Sequence, residues 1–417
     1  MATKMTSCIC CLRQVSRLCH PILSDNSHYF LRKGCLVRFM SSSYSYLWSK
    51  RRDLPLFPVA RKTVFGAGVK VICRFSSSTT ADEPPELTFE SLSDLIRERL
   101  QESIGQGSLE NHLMLLEALI KHWKGEVLSV AVTRIAQNLP AKDVYKLAAL
   151  IFDTQKSVGK AAVELSAPLF RFAAMAGDTD GMYSYGKLLE SGEGGVEVDP
   201  LEAAKMFSEL SEQGHPFAQF SLAQLYHNGI GMTKDLKVAL GLYEVSAENG
   251  VSEANTMIGN MYTTGEAGKV DLTKAAEYFT KAAEKGDISA LMSLGAFYSR
   301  GTGIKQDYEK SFKCYKAAAD QGYLTAQYNI GVNYFAGLGV EHDFTKAAYY
   351  FDLAAHRGHV HAQINLGNMY YWGYGVDKDW EKSRELYREA AKTNKNAELL
   401  LKELEDEIKA KNNTDDP

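Results

Sequence analysis

The residue types best suited to chemistry are sparse in this chain. His356, His359 and His361 lie close together, and imidazoles at such a spacing could ligate a divalent cation. They fall where one expected helix ends and the next begins, with no cysteine or acid beside them, so a solvated corner is expected and no metal is assigned. Paired glycines at Gly229 and Gly231, Gly301 and Gly303, Gly337 and Gly339, and Gly373 and Gly375 suggest phosphate cradles. A nucleotide fingerprint needs a strand before the glycines and a third glycine after them, whereas these follow helices and recur at a fixed interval, as turns do. Cys8 and Cys11 form a CxxC pair, but six of the seven cysteines (Cys8, Cys10, Cys11, Cys19, Cys35 and Cys73) lie in the first 75 residues. Cys314 is alone in the remainder, which excludes an intramolecular disulfide there. The sequence contains no GxxxxGK[ST], GxSxG or HExxH. No catalytic residue, cofactor or metal ligand is therefore expected.

The elements that carry these residues begin after a segment of different character. Residues 1–75 hold 13 Lys+Arg against 2 Asp+Glu, a balance of +11 that leaves −15 on residues 76–417 of a chain whose net charge is −4. The segment is rich in Ser and poor in acid, as mitochondrial transit peptides are, and Arg13 and Arg17 interrupt its early apolar stretch, which disfavours a secretory signal. Arg38-Phe39-Met40-Ser41 and Arg74-Phe75-Ser76-Ser77 resemble processing sites, and cleavage is expected at the later one, which ends the leader at residue 75 before a polar linker at 76–85 that ends in Pro84 and Pro85. The run from Val64 to Cys73 is too short to span a membrane and contains Lys70, so a matrix location is expected, with peripheral inner-membrane association left open. The acidic remainder disfavours nucleic acid as a partner.

A repeat dominates the C-terminal half of the chain. Glycines recur at Gly177, Gly214, Gly250, Gly286, Gly322 and Gly358, spaced by 37 and then by 36, a period that means a solenoid. Counting from each of them, place 9 is small (Gly186, Ala223, Gly259, Gly295, Gly331, Gly367). Place 12 is Leu189 and then Tyr226, Tyr262, Tyr298, Tyr334 and Tyr370, and place 15 is always Gly. An Asp recurs at Asp199, Asp235, Asp271, Asp307, Asp343 and Asp379, each followed eight residues on by an aromatic (Phe207, Tyr243, Phe279, Tyr315, Phe351, Tyr387). Each unit reads as two helices: places 4, 8 and 12 make a buried stripe, Gly at place 15 turns the chain, and Asp caps the second helix. The expected organisation is a helical region at 86–141, a degenerate capping unit at 142–177, six units over 178–394, a closing helix at 395–411 and a disordered tail at 412–417.

The pattern from Ala326 through Ile330, Gly331, Tyr334, Gly337, Gly339, Asp343, Ala347, Phe351, Ala354 and Ala355 to Gly358 resembles the Sel1-like repeat, a relative of the tetratricopeptide repeat. The resemblance covers roughly half the chain and implies an all-α, right-handed α-solenoid of antiparallel helix pairs. It also implies an adaptor or scaffold for protein complexes, as in family members acting in endoplasmic-reticulum degradation, mitochondrial assembly and stress signalling. Cysteine-rich bacterial members have been proposed to be redox or hydrolase-type enzymes, and this chain departs from them in having Cys314 alone in its repeats. Gly181, Leu189 and Asn333 depart from the usual core residues.

Places 3, 6, 10, 13 and 14 of each first helix fall opposite the buried stripe, and by the same resemblance they line a concave groove that holds partner proteins or peptides. Phe217, Phe220, Asn260, Arg300, Tyr328, Phe335, His361, Asn368, Tyr371 and Trp372 are the candidate binding residues on it. Tyr328, Phe335, Tyr371 and Trp372 are not demanded by the repeat and resemble interface hot spots. The alternative is that the closing helix or adjoining units cover them.

Overall fold

A computed structural model describes residues 109–122, 136–155 and 159–414, with isolated positions at 96, 99 and 134. The basic leader with its CxxC pair, the Arg74 cleavage position and the linker lie outside the described residues. Within them the chain is all α, with sixteen α-helices, one short 3₁₀ turn and no strand. The helices fall into two compact bodies, one ending at Val251 and the other beginning at Ser252.

The N-terminal body holds α1 (Leu109–His122), α2 (Ala141–Asp153), α3 (Lys160–Met175), α4 (Thr179–Ser191), α5 (Pro200–Glu212), α6 (Pro216–Asn228) and α7 (Leu236–Glu248). The C-terminal body holds α8 (Ser252–Thr264), α9 (Leu272–Glu284), α10 (Ile288–Arg300), α11 (Tyr308–Asp320), α12 (Leu324–Ala336), α13 (Phe344–Ala355), α14 (Val360–Trp372), α15 (Trp380–Ala391) and α16 (Lys395–Thr414). From α2 to α7 and again from α8 to α16 each helix packs on the next, the architecture of an α-solenoid.

The local causes are those the spacing demands. In the second helix of every repeat the capping Asp accepts from a backbone N–H two or three residues on, as in Asp343 Oδ1 with Lys346 N at 2.9 Å. The same Asp donates its own N–H to the place-12 carbonyl, Asp343 to Tyr334 at 3.0 Å, which ties the loop shut. From the third repeat on, a lysine one turn into that helix lies over the place-12 tyrosine, with Lys274, Lys310, Lys346 and Lys382 at 5.1–5.4 Å from the ring centres. Gly337 ends α12 at φ 66°, a left-handed turn in which a side chain would be strained.

Two close approaches set the packing. Inside a repeat the second-helix aromatic lies on the side-chain-less place 9: a Cβ on Gly331 would come within 2.6 Å of the Phe351 ring. Between repeats the second glycine of the turn rests on the backbone that opens the preceding second helix, so that a Cβ on Gly339 would overlap the Tyr308 carbonyl. The paired glycines are therefore turns, as expected, and also the points where one repeat touches the last.

The closing helix runs further than expected: α16 extends to Thr414, into the segment read as tail. Lys409, Ala410 and Lys411 are good helix formers, and no Gly or Pro intervenes before Pro417.

Gly339→Ala should lower stability by about 2 kcal/mol or more through overlap and positive φ together. Gly358→Ala, at φ 82° with open space around it, should lose only the backbone component, about 1 kcal/mol. Equal losses for the two variants in urea unfolding would contradict the assigned contact between repeats.

Candidate protein-binding surface

The first helices pack on their second helices and also side by side, and this second contact decides which stripe residues stay open. In the N-terminal body Tyr183, at place 6 of α4, is only 8% exposed. It stacks on His215 at 5.1 Å and lies 6.3 Å from Phe217. His215 caps α6 by accepting the Ala218 N–H at Nδ1, while its Nε2 faces Asp180 at 3.8 Å. Hydrogen bonding from that imidazole holds the Asp180 carboxyl below its ordinary range. Phe217 and Phe220 are half-buried, and Phe220 rests against Tyr243.

The C-terminal body repeats the arrangement. Thr256 is buried and donates to Asp287, the cap of α10. Tyr328 stacks on His359 at 4.5 Å, and His359 Nδ1 accepts the Ala362 N–H to cap α14. Place 6 of one repeat thus meets the capping residue of the next. His359 is occupied by this cap and this stack, and among the described residues no group of three or more His, Cys, Asp or Glu is placed to hold a metal ion.

The stripe is consequently narrower than the helical-wheel reading makes it. Asn368 is buried and accepts from the Tyr387 hydroxyl at 2.5 Å, so it belongs to the packing between α14 and α15 and not to an open face. Val332, at the same place 10, and Ile364, at place 6, are buried as well. Tyr371 is half-buried: its hydroxyl donates to Glu407 and its ring lies parallel to Trp380 at 6.0 Å, so the closing helix does reach it. A wheel drawn for one helix contains none of the neighbours packed against it, which is why it placed these residues outside.

Arg300 and His361 are exposed, and Asn260, Tyr328, Phe335 and Trp372 are half-buried, so openness concentrates at the helix ends. Phe335 packs on Phe344 at 5.2 Å, which stacks on Tyr374 at 5.0 Å, while Trp372 stands edge-on to Tyr371. Phe344, Tyr374, Trp380 and Lys378 were not singled out from the sequence. For Phe344 and Trp380 the signal was an aromatic at the residue after the capping Asp, where the first three repeats have Pro200, Leu236 and Leu272. These groups offer aromatic faces and hydrogen-bonding rims, the means of holding another chain. The Cys314 thiol is half-buried and burial pushes its pKa up to about 11, which leaves it protonated and a poor nucleophile at neutral pH.

A family model described as the Sel1 repeat matches residues 179–215, 216–251, 252–287, 288–323, 324–359 and 360–393. Among solved structures the chain is similar to c5321, a protective antigen present in uropathogenic Escherichia coli strains displaying an SLR fold, at 24% identity and a TM-score of 0.55. That match covers 76% of this chain and 66% of the antigen, so the chain spans just under two thirds of that relative's length. It is also similar to a Sel1 repeat protein from Oxalobacter formigenes at 28% identity and a TM-score of 0.45, over 46% of this chain and 81% of that one. No curated protein sequence matches the chain.

The histidine cap has a pH signature. Burial, and then the neighbouring His361, bring the pKa of His359 down from 6.5 to about 4. The unfolded chain therefore binds this proton at a higher pH than the folded one does. Its stabilisation is complete above pH 6.5 and is lost as pH falls toward about 4. His359→Asn keeps a capping side chain without a titrating group. The stability of the unaltered chain relative to this variant should accordingly drop between about pH 7.5 and about pH 4.5 in thermal unfolding, and a constant difference would remove the role assigned to the imidazole.

Proposed function

The chain belongs to the Sel1 repeat family, and from that premise we propose that it is a non-catalytic adaptor that holds other proteins on the open ends of its first-helix stripe. Sel1-repeat chains are typically scaffolds for protein interaction, and among the described residues no helix is long and apolar enough to cross a membrane. One observation carries the reading: Phe335, Trp372 and their aromatic neighbours keep half-exposed rings where the repeat pattern asks for none. Aromatic side chains in such settings supply most of the energy of protein interfaces.

The working place of the adaptor, on the same proposal, is the mitochondrial matrix, with complex assembly, quality control or stress signalling as the process served. Support comes from the charge and serine content of residues 1–75. A redox or hydrolase role is disfavoured by the single body cysteine with its raised pKa. An endoplasmic-reticulum adaptor would need the leader to act as a signal peptide, against its interrupting arginines.

Proximity labelling in intact cells, with the tag at the C-terminus, tests address and surface together. The unaltered chain should enrich matrix or inner-membrane proteins, and labelling of lumenal or cytosolic proteins would overturn the address. Phe335→Ala and Trp372→Ala should each weaken partner capture by about 30-fold. The melting temperature should stay within a few degrees, as for a surface substitution. Strong destabilisation by both variants would show that these rings are core and would remove the binding assignment.

A further inference from the structure

The two halves of α16 are held by different means. Ala397 is fully buried with Ile364 and Ala390, Leu400 packs against the same cluster, and Leu404 is 1% exposed. Past Leu404 the helix leans on polar tips: the Glu407 carboxylate accepts from the Tyr371 hydroxyl, and the Lys411 ammonium lies 5.2 Å from the centre of the Trp380 ring. Glu407, Lys409, Ala410 and Lys411 are all exposed, and Ile408 is half-buried. A helix segment with little buried apolar contact opens at far lower cost than the fold as a whole.

The surface beneath this second half is well defined. Tyr371 and Trp380 lie parallel, Trp372 meets Tyr371 edge-on at 4.7 Å, and the Lys378 ammonium sits 4.8 Å from the Trp380 ring. In the preceding repeats this position is filled by a turn: Gly375 rests on the backbone of Phe344, which opens its second helix as Trp380 opens the last one. The first helices of the C-terminal repeats, α8, α10, α12 and α14, have 13 residues each, whereas α16 has 20. The extra turns carry Lys411 over Trp380 in place of a glycine turn. Glu407 and Lys411, four apart, share one helix face and reach the two rings together.

We propose that the Tyr371, Trp372 and Trp380 surface is a docking site for an amphipathic helix of a partner that carries a glutamate and, four residues later, a lysine, and that the second half of α16 is its resident occupant, displaced when the partner binds. The proposal rests on the adaptor reading above and names the partner's chemistry: an acid that accepts from the tyrosine hydroxyl, and an ammonium for the indole face. The resident segment supplies the template, because it already makes both contacts without burying its own tips.

The test uses the full chain and a fluorescently labelled synthetic peptide of residues 395–414. Releasing the resident segment by Glu407→Ala with Lys411→Ala, both exposed positions, should let the peptide bind about tenfold or more tightly than it binds the unaltered chain, as read by anisotropy. Adding Tyr371→Phe to the released chain removes one hydroxyl and should weaken peptide binding several-fold. A peptide carrying alanine at both positions should bind no better to the released chain than the original peptide binds the unaltered one. Equal affinity of the peptide for the two chains, or undiminished binding of the alanine peptide, overturns the proposal. Concentration-dependent dimerisation of the released chain would give the site to a second copy and overturns it too. Hydrogen exchange on the unaltered chain is independent of any variant: amides of 405–414 should exchange about tenfold faster than those of 395–404, and uniform protection again overturns it. The peptide assay involves this chain alone, so its failure with partner capture intact leaves the adaptor reading standing. Loss of the adaptor reading with peptide binding intact is equally recognisable.

Discussion

An aromatic ring lying on a position without a side chain is the contact on which the rest of this architecture depends. Phe207 covers Gly186, Phe279 covers Gly259, Tyr315 covers Gly295, Phe351 covers Gly331 and Tyr387 covers Gly367. A ring carbon stands 2.6–2.7 Å from where a Cβ would be in each case, so the two helices of a repeat approach to a distance fixed by one ring thickness. The alanines around the ring, such as Ala347, Ala348, Ala354 and Ala355, are buried because that distance admits nothing larger. The second repeat has Ala223 at the glycine position, and there Tyr243 packs on Phe220 and His227.

Once the helix pair has a fixed separation, repeats join closely through backbone at the turn glycines. Gly303, Gly339 and Gly375 each press on the residue that opens the previous second helix, Leu272, Tyr308 and Phe344. The capping residues of the first helices complete the join from the other side, with Asp287 held by Thr256 and His359 stacked on Tyr328. Capping and inter-repeat packing are therefore one feature, and a change at a cap is felt in two repeats at once.

The residues this packing does not use are the ones open to a partner. Middle positions of the first helices are spent on lateral contact, and the ends keep Arg300, Phe335, His361 and Trp372 accessible. Aromatic content is highest in the last two repeats, where Phe335, Phe344 and Tyr374 form one set of ring contacts and Tyr371, Trp372 and Trp380 another, at 4.7–6.0 Å between ring centres. The aromatic end of the C-terminal body, overlain by a helix segment held through polar tips, suits exchange of that segment for another helix.

The period of the glycines, the capping Asp, the turn Gly and the aromatic eight residues after the Asp were sufficient by themselves to determine a helix-pair solenoid, because each reports a local backbone requirement that recurs every 36 residues. Sequence also marked Phe335 and Trp372 as aromatics beyond the needs of the repeat. It could not place Asn368, which reads as a polar groove residue and is buried under the Tyr387 hydroxyl, or Tyr371, which the closing helix engages through Glu407. Nor could it show that Trp380 lies under the closing helix, or that the second turn glycine is a contact between repeats. Those outcomes depend on which neighbour lies beside a helix face, and a periodic pattern fixes the faces of one helix while only the stacked structure decides what stands against each of them.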